Sequence, residues 1–312
     1  MNPAPAPDVS VIVINWNSFA LLETALDSLV TQTSGVTYEI IVVDNGSTRD
    51  GSGEKIPLRF PSVRFLPNPE NLGFGRANNQ AFAVARGRHL LLLNADTRQI
   101  ENAVGKAVGY LDGHPEVGAL GILHLNDDPA RSTQPSWHPF PRPLDDLKGL
   151  LHLPTEAAPF PAEPTERDVP WACASFLLVR RECLDAVGGF DERFFIYDED
   201  IDWCFRIWEK GWQIRFWPGA RFIHIGSASG ALMSDKTFSN LRSRLTYYRK
   251  HHGIGWAVLL YAVTVGKLAA GAARETVRLL FRRAAERNVR DVINRWKRVA
   301  QFARLRSSQS GV

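Results

Sequence analysis

Short apolar runs and longer segments with helical spacing alternate through the N-terminal third of the chain. Residues 9–14 and 38–43 are apolar at nearly every position and rich in β-branched side chains. Between them, leucine and alanine recur at the spacing of an amphipathic helix. Residues 63–66 and 89–93 repeat the apolar pattern. Parallel strands buried on both faces have such sequences, so the order strand, helix, strand predicts an α/β fold built on a parallel sheet.

The pattern changes in the middle of the chain. Residues 126–168 are rich in proline, histidine and tryptophan and show no sustained period, so we expect a long loop over an active site. A strand is predicted at 169–180, with small residues where a substrate could approach. A helix is predicted to begin near Asp198, and two short strands follow at 213–217 and 221–225.

Beyond Lys236 the apolar positions follow helical spacing. Residues 256–273 are mostly apolar but contain Lys267, and apolar stripes continue at 277–284 and 289–299 with arginine and lysine between them. Basic amphipathic helices bind anionic membrane surfaces, which is the interpretation we favour. A transmembrane span is less favoured because the apolar run is short and has a central lysine. A helical subdomain packed on the body is the remaining alternative.

The distribution of charge also sets the C-terminal segment apart. The net charge is only +4, but residues 236–312 hold 17 Lys or Arg and three acidic residues, a balance of +14, whereas the rest holds 20 and 30, a balance of −10. We therefore predict a disordered tail at 1–8, an α/β domain at 9–235 and a basic helical extension at 236–312. Nucleic acid is not expected as a partner, because no recognised binding motif accompanies the basic segment and the acidic body would oppose it.

Composition and missing motifs exclude several classes of protein. The chain is 45% hydrophobic and 22% charged, as in ordinary globular proteins. Three cysteines without a C-x-x-C pair indicate a reducing compartment, and the start lacks the features of a signal peptide. The turn at 15–18 lacks the glycines of a dinucleotide-binding motif, and no P-loop is present. A nicotinamide enzyme and a P-loop nucleotidase are therefore disfavoured.

Polar side chains follow the predicted strands, at the edge where a parallel sheet binds ligands. Asp44 could accept hydrogen bonds from a ribose or a base, although an ordinary Asx turn would have the same sequence. The glycines, asparagines and Arg76 within 68–79 suit a diphosphate at a helix N-terminus, and a capping loop is the alternative. Asn94 and Asp96 can both reach a hard divalent cation.

Acidic residues cluster at 191–206 among aromatic and aliphatic ones. Carboxylates this close repel one another unless a cation, a basic partner or a substrate uses them. An acidic helix start on a solvated surface is the alternative, because the helix dipole offsets part of the repulsion. The four carboxyls that lie closest in sequence belong to Asp198, Glu199, Asp200 and Asp202.

His224 lies between two isoleucines in the last predicted strand. A single histidine in a strand is more often structural than a ligand. If its strand ends beside Asp96, however, a neutral imidazole would complete a metal site begun by Asn94 and Asp96.

Six motifs occur together in a characteristic order: Asn15–Asn17, 42–48, 68–75, 92–96, 171–180 and 197–206. With them the chain resembles glycosyltransferase family two, and more closely its bacterial rhamnosyltransferase-like branch, over about residues 8 to 230. The family has motifs of the same kind in the same order.

The resemblance implies a GT-A fold with a mixed, mostly parallel central sheet, to which the basic helical extension is added. It implies that residues 9–97 bind the nucleotide, that residues 98–235 bind the acceptor, and that the anomeric centre is inverted in one displacement. Asp44 is expected to contact the base or ribose. The candidate donor-binding residues are Asn15, Asn17, Asp44, Asn71, Gly73, Arg76, Asn78 and Asn94.

The resemblance also implies the chemistry of the site. Asp96 is expected to bind Mg²⁺ or Mn²⁺ as the last acid of a D-x-D motif, whose first position is Asn94 here, and His224 is expected to join it. Asp200 matches the general base, and Glu199 precedes it in the catalytic pair. The candidate residues for acceptor or sugar binding are Trp171, Ser175 and Asp198.

The predicted function is an inverting, metal-dependent glycosyltransferase with a dTDP or UDP donor, for which L-rhamnose from dTDP-rhamnose is the candidate sugar. The acceptor would be a cell-surface glycan or a polyprenyl-linked precursor. We expect the protein in the cytoplasm, bound peripherally to the inner face of the cell membrane through its C-terminal helices. The alternative is a catalytically idle sugar-nucleotide-binding protein in a membrane assembly, which Asn94 and the basic tail suggest.

Overall fold

The apolar runs at the N-terminus form strands in the computed structural model of the chain. The residues described are 5–155, 160–161, 163–226, 236–281 and 286–303. The chain divides into two compact units, Met1–Phe140 with Pro159–Lys236, and Pro141–Ala158 with Thr237–Val312. Parts of the predicted N-terminal tail, middle loop, domain end after residue 226 and C-terminal extension lie outside the described residues. The domain boundaries drawn from the sequence stay a prediction.

The helices and strands follow the alternation that the sequence predicts in the N-terminal third. In chain order they are β1 (Val9–Asn15), α1 (Phe19–Gln32), β2 (Tyr38–Asn45), α2 (Ser52–Arg59), β3 (Arg64–Asn68), α3 (Phe74–Val84), β4 (His89–Asn94), β5 (Thr97–Gln99), α4 (Ala103–Gly113), β6 (Val117–Leu125), β7 (Thr133–Gln134), β8 (Trp137–His138), α5 (Pro143–Leu150), β9 (Arg167–Asp168), β10 (Trp171–Ala172), β11 (Phe176–Arg180), α6 (Arg181–Val187), α7 (Glu199–Glu209), β12 (Gln213–His224), α8 (Lys236–His251), α9 (Ile254–Phe281) and α10 (Glu286–Ala303).

The main sheet belongs to the first unit and has the strand order β3-β2-β1-β4-β11-β6-β12-β5. β1 pairs in parallel with β2 and β4, and β3 pairs in parallel with β2. β11 runs antiparallel to both of its neighbours, β4 and β6. The predicted mixed, mostly parallel sheet is confirmed, and the carboxyl ends of β1, β2 and β4 lie at one edge.

Both faces of the central part of this sheet are covered, which explains why β1, β2 and β4 are mostly apolar. Val11 and Val13 of β1 pack in one layer of the core with residues of α1 and α4. Ile12, between them, packs in the opposite layer with residues of α3 and α7. Because successive side chains of a strand point to opposite faces, a strand that is buried on both faces must be apolar at every position.

The strand predicted at 169–180 is interrupted, because its two halves pair with different partners. Trp171 and Ala172 pair with β8 in a separate two-stranded ribbon, whereas β11 joins the main sheet. The two short strands predicted at 213–217 and 221–225 are one strand, β12, with an irregular register between Trp217 and Arg221. β5, which the sequence analysis did not predict, pairs antiparallel with the end of β12.

The predicted loop at 126–168 contains short strands and a helix rather than one continuous irregular loop. β7 and β8 belong to the first unit, whereas α5 belongs to the second. β9 returns to the main sheet, where it pairs with β12.

The second unit consists of α5, α8, α9 and α10. Asp146 of α5 accepts hydrogen bonds from Arg244 Nη1 at 2.6 Å and from the Tyr248 hydroxyl at 2.7 Å, which joins α5 to α8. Trp296 Nε1 donates to Thr276 Oγ1 at 3.1 Å and so joins α10 to α9. Lys267, the cation that interrupts the apolar run, donates to the carbonyl of Leu150.

One helix among the described residues, over Ile254–Arg278, is long and apolar enough to cross a membrane by length and composition. Such a helix is weak evidence for a span. Most of it is not buried in the structure, and Leu259 is 42% exposed.

Candidate active site

Asp44 lies at the carboxyl end of β2 and is held by a network of protein hydrogen bonds. Its Oδ1 accepts from Asn15 Nδ2 at 2.8 Å and from Ser47 Oγ at 2.6 Å, and the same Asn15 amide donates to Ser52 Oγ at 2.9 Å. Asn15 is fully buried and Asp44 is 3% exposed. The carboxylate is therefore fixed in orientation, and Asn15 braces it from the end of the neighbouring strand.

Asn45, which the sequence analysis did not single out, organises the loop that follows β3. Its Nδ2 donates to Asn71 Oδ1 at 2.9 Å and to the Gly73 carbonyl at 3.2 Å, and its Oδ1 accepts from the Leu72 N–H. Asn71 Oδ1 in turn accepts from the Gly73 N–H. The loop is thus tied to the end of β2, beside Asp44.

Gly73 is required for the close contact between this loop and the acidic segment. Its φ is +87°, and a Cβ there would lie 2.4 Å from the Phe195 carbonyl oxygen. The next residue, Phe74, donates its N–H to that oxygen at 2.9 Å. The N-terminus of α3 and the approach to α7 therefore meet at Gly73.

The remaining candidate donor-binding residues also contact protein groups. Asn17 Oδ1 accepts from the backbone N–H groups of Thr48 and Arg49, and Asn78 Nδ2 donates to the Phe74 carbonyl. Arg76 forms an ion pair with Glu192 at 3.0 Å, with both side chains about half exposed. An exposed pair of this kind contributes little to stability and can be exchanged for another anion.

The structure brings Asp96 and His224 together. Asp96 follows β4, and Thr97 of β5 pairs with His224 at the end of β12. The Ile225 N–H donates to the Asp96 carbonyl at 2.9 Å. His224 Nε2 consequently lies 3.4 Å from Asp96 Oδ1.

These two side chains fit a divalent cation together with further ligands. Octahedral Mg²⁺ has bonds of about 2.1 Å, so adjacent ligand atoms lie roughly 3 Å apart, close to the observed separation. Among the described residues no group of three His, Cys, Asp or Glu could hold a metal. A cation at this edge would therefore take its other ligands from water or substrate, as Mg²⁺ commonly does with phosphates.

The acidic helix begins after an unusual backbone turn. Tyr197 and Asp198 both have positive φ, 69° and 60°, which is uncommon for residues other than glycine and concentrates at functional sites. Asp202 is fully buried and forms an ion pair with Arg206 at 3.0 Å. Asp202 therefore has a structural partner within the helix, which leaves Asp198, Glu199 and Asp200 at its N-terminus.

Burial perturbs the acids of this cluster. Burial, followed by the charge of Asp198, raises the pKa of Asp200 to about 6. Burial, followed by the charge of Asp200, raises the pKa of Glu199 well above its ordinary value. Glu199 Oε2 is buried and has no hydrogen-bond partner. Burial and the neighbouring carboxylate therefore favour the protonated form of both groups more than they would for an exposed carboxyl.

Two consecutive residues connect the edge with Asp96 and His224 to this helix. The Ser175 carbonyl accepts the Asn94 N–H at 3.1 Å, so Ser175 lies beside the end of β4. The Ala174 N–H points to Asp200 Oδ2 at 3.5 Å. Asp200 and the strand end that carries Asp96 are thus neighbours across this short segment.

Trp171 lies at the start of the same segment. Its indole stacks on His138, with ring centroids 5.2 Å apart, and its Nε1 donates to the Pro139 carbonyl at 3.0 Å. Ser175 is 5% exposed, and its Oγ lies 3.4 Å from His124 Nδ1. His124 was not a candidate in the sequence, although burial holds its pKa well below the ordinary value and its Nε2 is buried without a partner.

A family model described as "Glycosyl transferase family 2" matches residues 10–186, more than half of the chain. The chain belongs to this family. It is therefore a glycosyltransferase, as the six motifs predict. A second model, "Glycosyl transferase family group 2", matches residues 162–306.

The curated relatives of this family 2 protein include rhamnosyltransferases. N-acetylglucosaminyl-diphospho-decaprenol L-rhamnosyltransferase of Mycobacterium tuberculosis is 29% identical, over 91% of this chain and 98% of the relative. Rhamnosyltransferase WbbL of Escherichia coli is 30% identical, over 77% of this chain and 92% of the relative. The predicted rhamnosyltransferase-like branch is thereby confirmed.

Solved structures confirm the GT-A glycosyltransferase fold. A mannosyltransferase from Pyrobaculum calidifontis, in complex with GDP-Man and Mn²⁺, has a TM-score of 0.53 and 18% identity, and the match covers 97% of this chain and 86% of the other. GalNAc-T7 with UDP, GalNAc and Mn²⁺ has a TM-score of 0.57 and 17% identity, covering 78% and 48%. At these identities the likeness concerns the fold.

The buried carboxyl of Glu199 predicts how stability of this glycosyltransferase depends on pH. A carboxyl whose pKa is higher in the folded than in the unfolded state takes up a proton on folding, so folding becomes less favourable as pH rises above the ordinary value of 4.5. As pH rises above 4.5, the fall in melting temperature should be smaller for Glu199→Gln than for wild type. Glu54→Gln, at an exposed carboxyl of α2, is the control and should keep the wild-type slope. Equal slopes for wild type and Glu199→Gln would contradict the buried-carboxyl assignment.

Proposed function

We propose that this enzyme is an inverting, metal-dependent transferase that moves L-rhamnose from dTDP-rhamnose to a lipid-linked glycan precursor. The observation that carries the proposal is the short segment at Ala174 and Ser175, which connects the Asp96–His224 edge with Asp200. A site for a donor diphosphate and a base for an acceptor hydroxyl would then face one reaction centre.

The relatives support this choice of sugar and acceptor. Two of them are named as rhamnosyltransferases, and the mycobacterial name specifies a saccharide linked through a diphosphate to decaprenol. UDP is the alternative donor nucleotide. By analogy the acceptor here is a sugar hydroxyl on a polyprenyl diphosphate carrier, used for a cell-surface glycan.

In the proposed mechanism the donor nucleotide lies against the carboxyl ends of β1 and β2. Asp44 accepts a hydrogen bond from the base or ribose, and the positive end of α3 attracts the diphosphate. Asp96 and His224 would hold the cation, which when bound neutralises charge that develops on the leaving diphosphate. Arg76 could exchange Glu192 for a phosphate, because that ion pair is exposed.

Asp200 serves as the general base in this mechanism. The acceptor oxygen forms its bond to the anomeric carbon while the bond from that carbon to the diphosphate breaks, and the hydroxyl proton moves to the Asp200 carboxylate. With a pKa of about 6, Asp200 is ionised at neutral pH yet basic enough to accept the proton. Glu199 beside it can form a hydrogen bond with a sugar hydroxyl, and Trp171, Ser175 and Asp198 complete the acceptor side.

The second unit would bind the anionic surface of the membrane, which brings the enzyme to a lipid-linked acceptor on the cytoplasmic face. Along α9 an exposed stripe of uncharged residues recurs every three or four positions, and cations lie beside it. Such a surface enters the headgroup region while its cations attract acidic lipids. The stripe includes Leu259, Ala262, Gly266, Ala270, Ala273 and Val277, and the cations are Lys267, Arg274 and Arg278.

Replacement of the proposed base gives the first test. Asp200→Asn should lower kcat about 10²–10⁴-fold, because general base catalysis contributes that factor, while binding of the nucleotide donor stays near wild type. The wild-type kcat/KM should also decline as pH falls through about 6. Steady-state kinetics and donor titration check both. An active Asp200→Asn enzyme would remove the assignment of Asp200 as base.

Calorimetric titration tests the donor and the cation together. Titration of dTDP, UDP and GDP, each with and without Mn²⁺, should give metal-dependent binding of dTDP to wild type and a loss of that dependence in Asp96→Ala. Glu101→Ala, at an acidic residue beyond β5, is the control and should bind as wild type does. Metal-dependent binding of UDP instead would reassign the donor, and binding independent of Mn²⁺ would contradict the cation site.

Vesicle sedimentation tests the membrane surface. Leu259→Asp should weaken binding to phosphatidylglycerol vesicles at least about tenfold, because it removes an apolar side chain worth about 1.5–3 kcal/mol on burial and adds repulsion from anionic lipid. The matched control is Leu58→Asp at an 83% exposed leucine of the first unit. Equal binding by both variants would contradict the proposed membrane surface.

A further inference from the structure

The Gln134 side chain at the end of β7 contacts His224 on two sides. Its Nε2 lies 3.3 Å from the His224 carbonyl oxygen and 3.0 Å from Asn126 Oδ1. Its Oε1 lies 2.6 Å from His224 Nδ1. One amide therefore bonds both the backbone and the ring of the same histidine.

The backbone contact determines which way the amide points. A carbonyl oxygen can only accept a hydrogen bond, so the amide nitrogen of Gln134 must face the His224 carbonyl. The amide oxygen then faces the ring, and because this oxygen can only accept, His224 Nδ1 must carry the proton. A neutral imidazole has one N–H, so its other nitrogen, Nε2, bears a lone pair.

That lone pair lies close to the carboxylate of Asp96. His224 Nε2 and Asp96 Oδ1 lie 3.4 Å apart. An imidazole nitrogen with a lone pair and a carboxylate oxygen at this separation can both bind one cation. The opposite tautomer would have an N–H at Nε2, which cannot bind a metal.

We propose that Gln134 is a positioning residue that holds His224 in the Nδ1–H tautomer and thereby makes Nε2 available to the divalent cation. This inference rests on the proposed metal-dependent function. Replacing a residue that bonds the second nitrogen of a metal-binding histidine typically weakens metal binding about 10–100-fold.

A purely structural role for Gln134 makes a different prediction. Gln134 and Asn126 both contribute to the segment that joins β6 and β7, where Asn126 Nδ2 also donates to Ser132 Oγ at 2.9 Å. If anchoring this segment were the role of Gln134, its donor nitrogen would matter most. If it fixes the tautomer, its acceptor oxygen matters most.

Two variants separate the acceptor from the donor. Gln134→Glu keeps an acceptor for His224 Nδ1–H but loses the N–H groups that bond Asn126 and the His224 carbonyl. Gln134→Leu loses both at similar volume. Asn126→Ala removes the Asn126 bonds to Gln134 and Ser132 but keeps both Gln134 contacts with His224, and it serves as the matched control. Thermal unfolding establishes that each variant is folded before it is compared.

The first readout is the tautomer itself, measured without metal at alkaline pH. Long-range ¹H–¹⁵N correlation spectra of protein with labelled histidine distinguish the two neutral tautomers. The chain has eight histidines, so the signals of His224 are assigned by their loss in His224→Gln. Wild type, Gln134→Glu and Asn126→Ala should show the Nδ1–H form, whereas Gln134→Leu should show a mixture or the Nε2–H form.

The second readout is the affinity for Mn²⁺ in the presence of dTDP, measured by electron paramagnetic resonance of the free ion. Gln134→Leu should bind Mn²⁺ about 10–100-fold more weakly than wild type, and Gln134→Glu should stay within about threefold of wild type or bind more tightly. Equal affinity in Gln134→Leu and wild type would overturn the inference, as would equal losses in Gln134→Glu and Gln134→Leu.

The two readouts also separate this inference from the proposed function. If wild type binds no Mn²⁺ with any nucleotide, the metal-dependent mechanism fails, and the role assigned to Gln134 in cation binding fails with it even where the spectra show the Nδ1–H form. If wild type binds Mn²⁺ but its His224 is in the Nε2–H form, the function stands and the inference is wrong.

Discussion

The antiparallel pairing of β5 with the end of β12 is the contact on which the candidate site depends. It joins Thr97 to His224 and, through the Ile225 N–H, the backbone of Asp96. β5 has only three residues, so this pairing is short. Because an antiparallel ladder specifies which residues lie opposite each other, a slip of one residue would turn His224 to the other face of the sheet.

In the acidic helix α7, the fold holds carboxyl groups close together although their charges repel one another. Asp202 is neutralised by Arg206 within the helix, and the positive end of the helix dipole favours the acids of the first turn. Tyr197 and Asp198 adopt a left-handed backbone conformation, which is energetically unfavourable for residues other than glycine. Holding Glu199 and Asp200 in a poorly solvated place therefore lowers the stability of the fold, and burial makes a carboxylate there a stronger base.

Local sequence patterns predicted much of this arrangement. The apolar runs identified β1, β2, β3 and β4, and because parallel strands end at one edge, they also brought Asp44 and Asp96 to that edge. The family resemblance added Asp200 and His224, and with them the expectation of a GT-A fold that the structural comparisons confirm. These features depend on residues close together in sequence or on recurring motifs.

The side chains that the sequence analysis missed depend on distant partners instead. Asn45 acquires its importance from the loop after β3, and Gln134 from His224 on a strand that comes much later in the chain. His124 lies in an apolar strand, so the sequence alone predicts an ordinary core position. The structure places it beside Ser175 and His224. The break between β10 and β11 was likewise invisible, because it results from a change of pairing partner rather than of local composition.

The second unit has a consequence for how this polypeptide is made. Its parts, Pro141–Ala158 and Thr237–Val312, are separated by residues 159–236 of the first unit, so α5 leaves the ribosome long before α8 exists. Until then Asp146 lacks both Arg244 and Tyr248. The unit is therefore completed only after the whole first unit has been translated, and a chain that stopped before α8 would leave α5 without these two partners. The C-terminal helices cannot be exchanged between enzymes as a simple appendage unless α5 is exchanged with them.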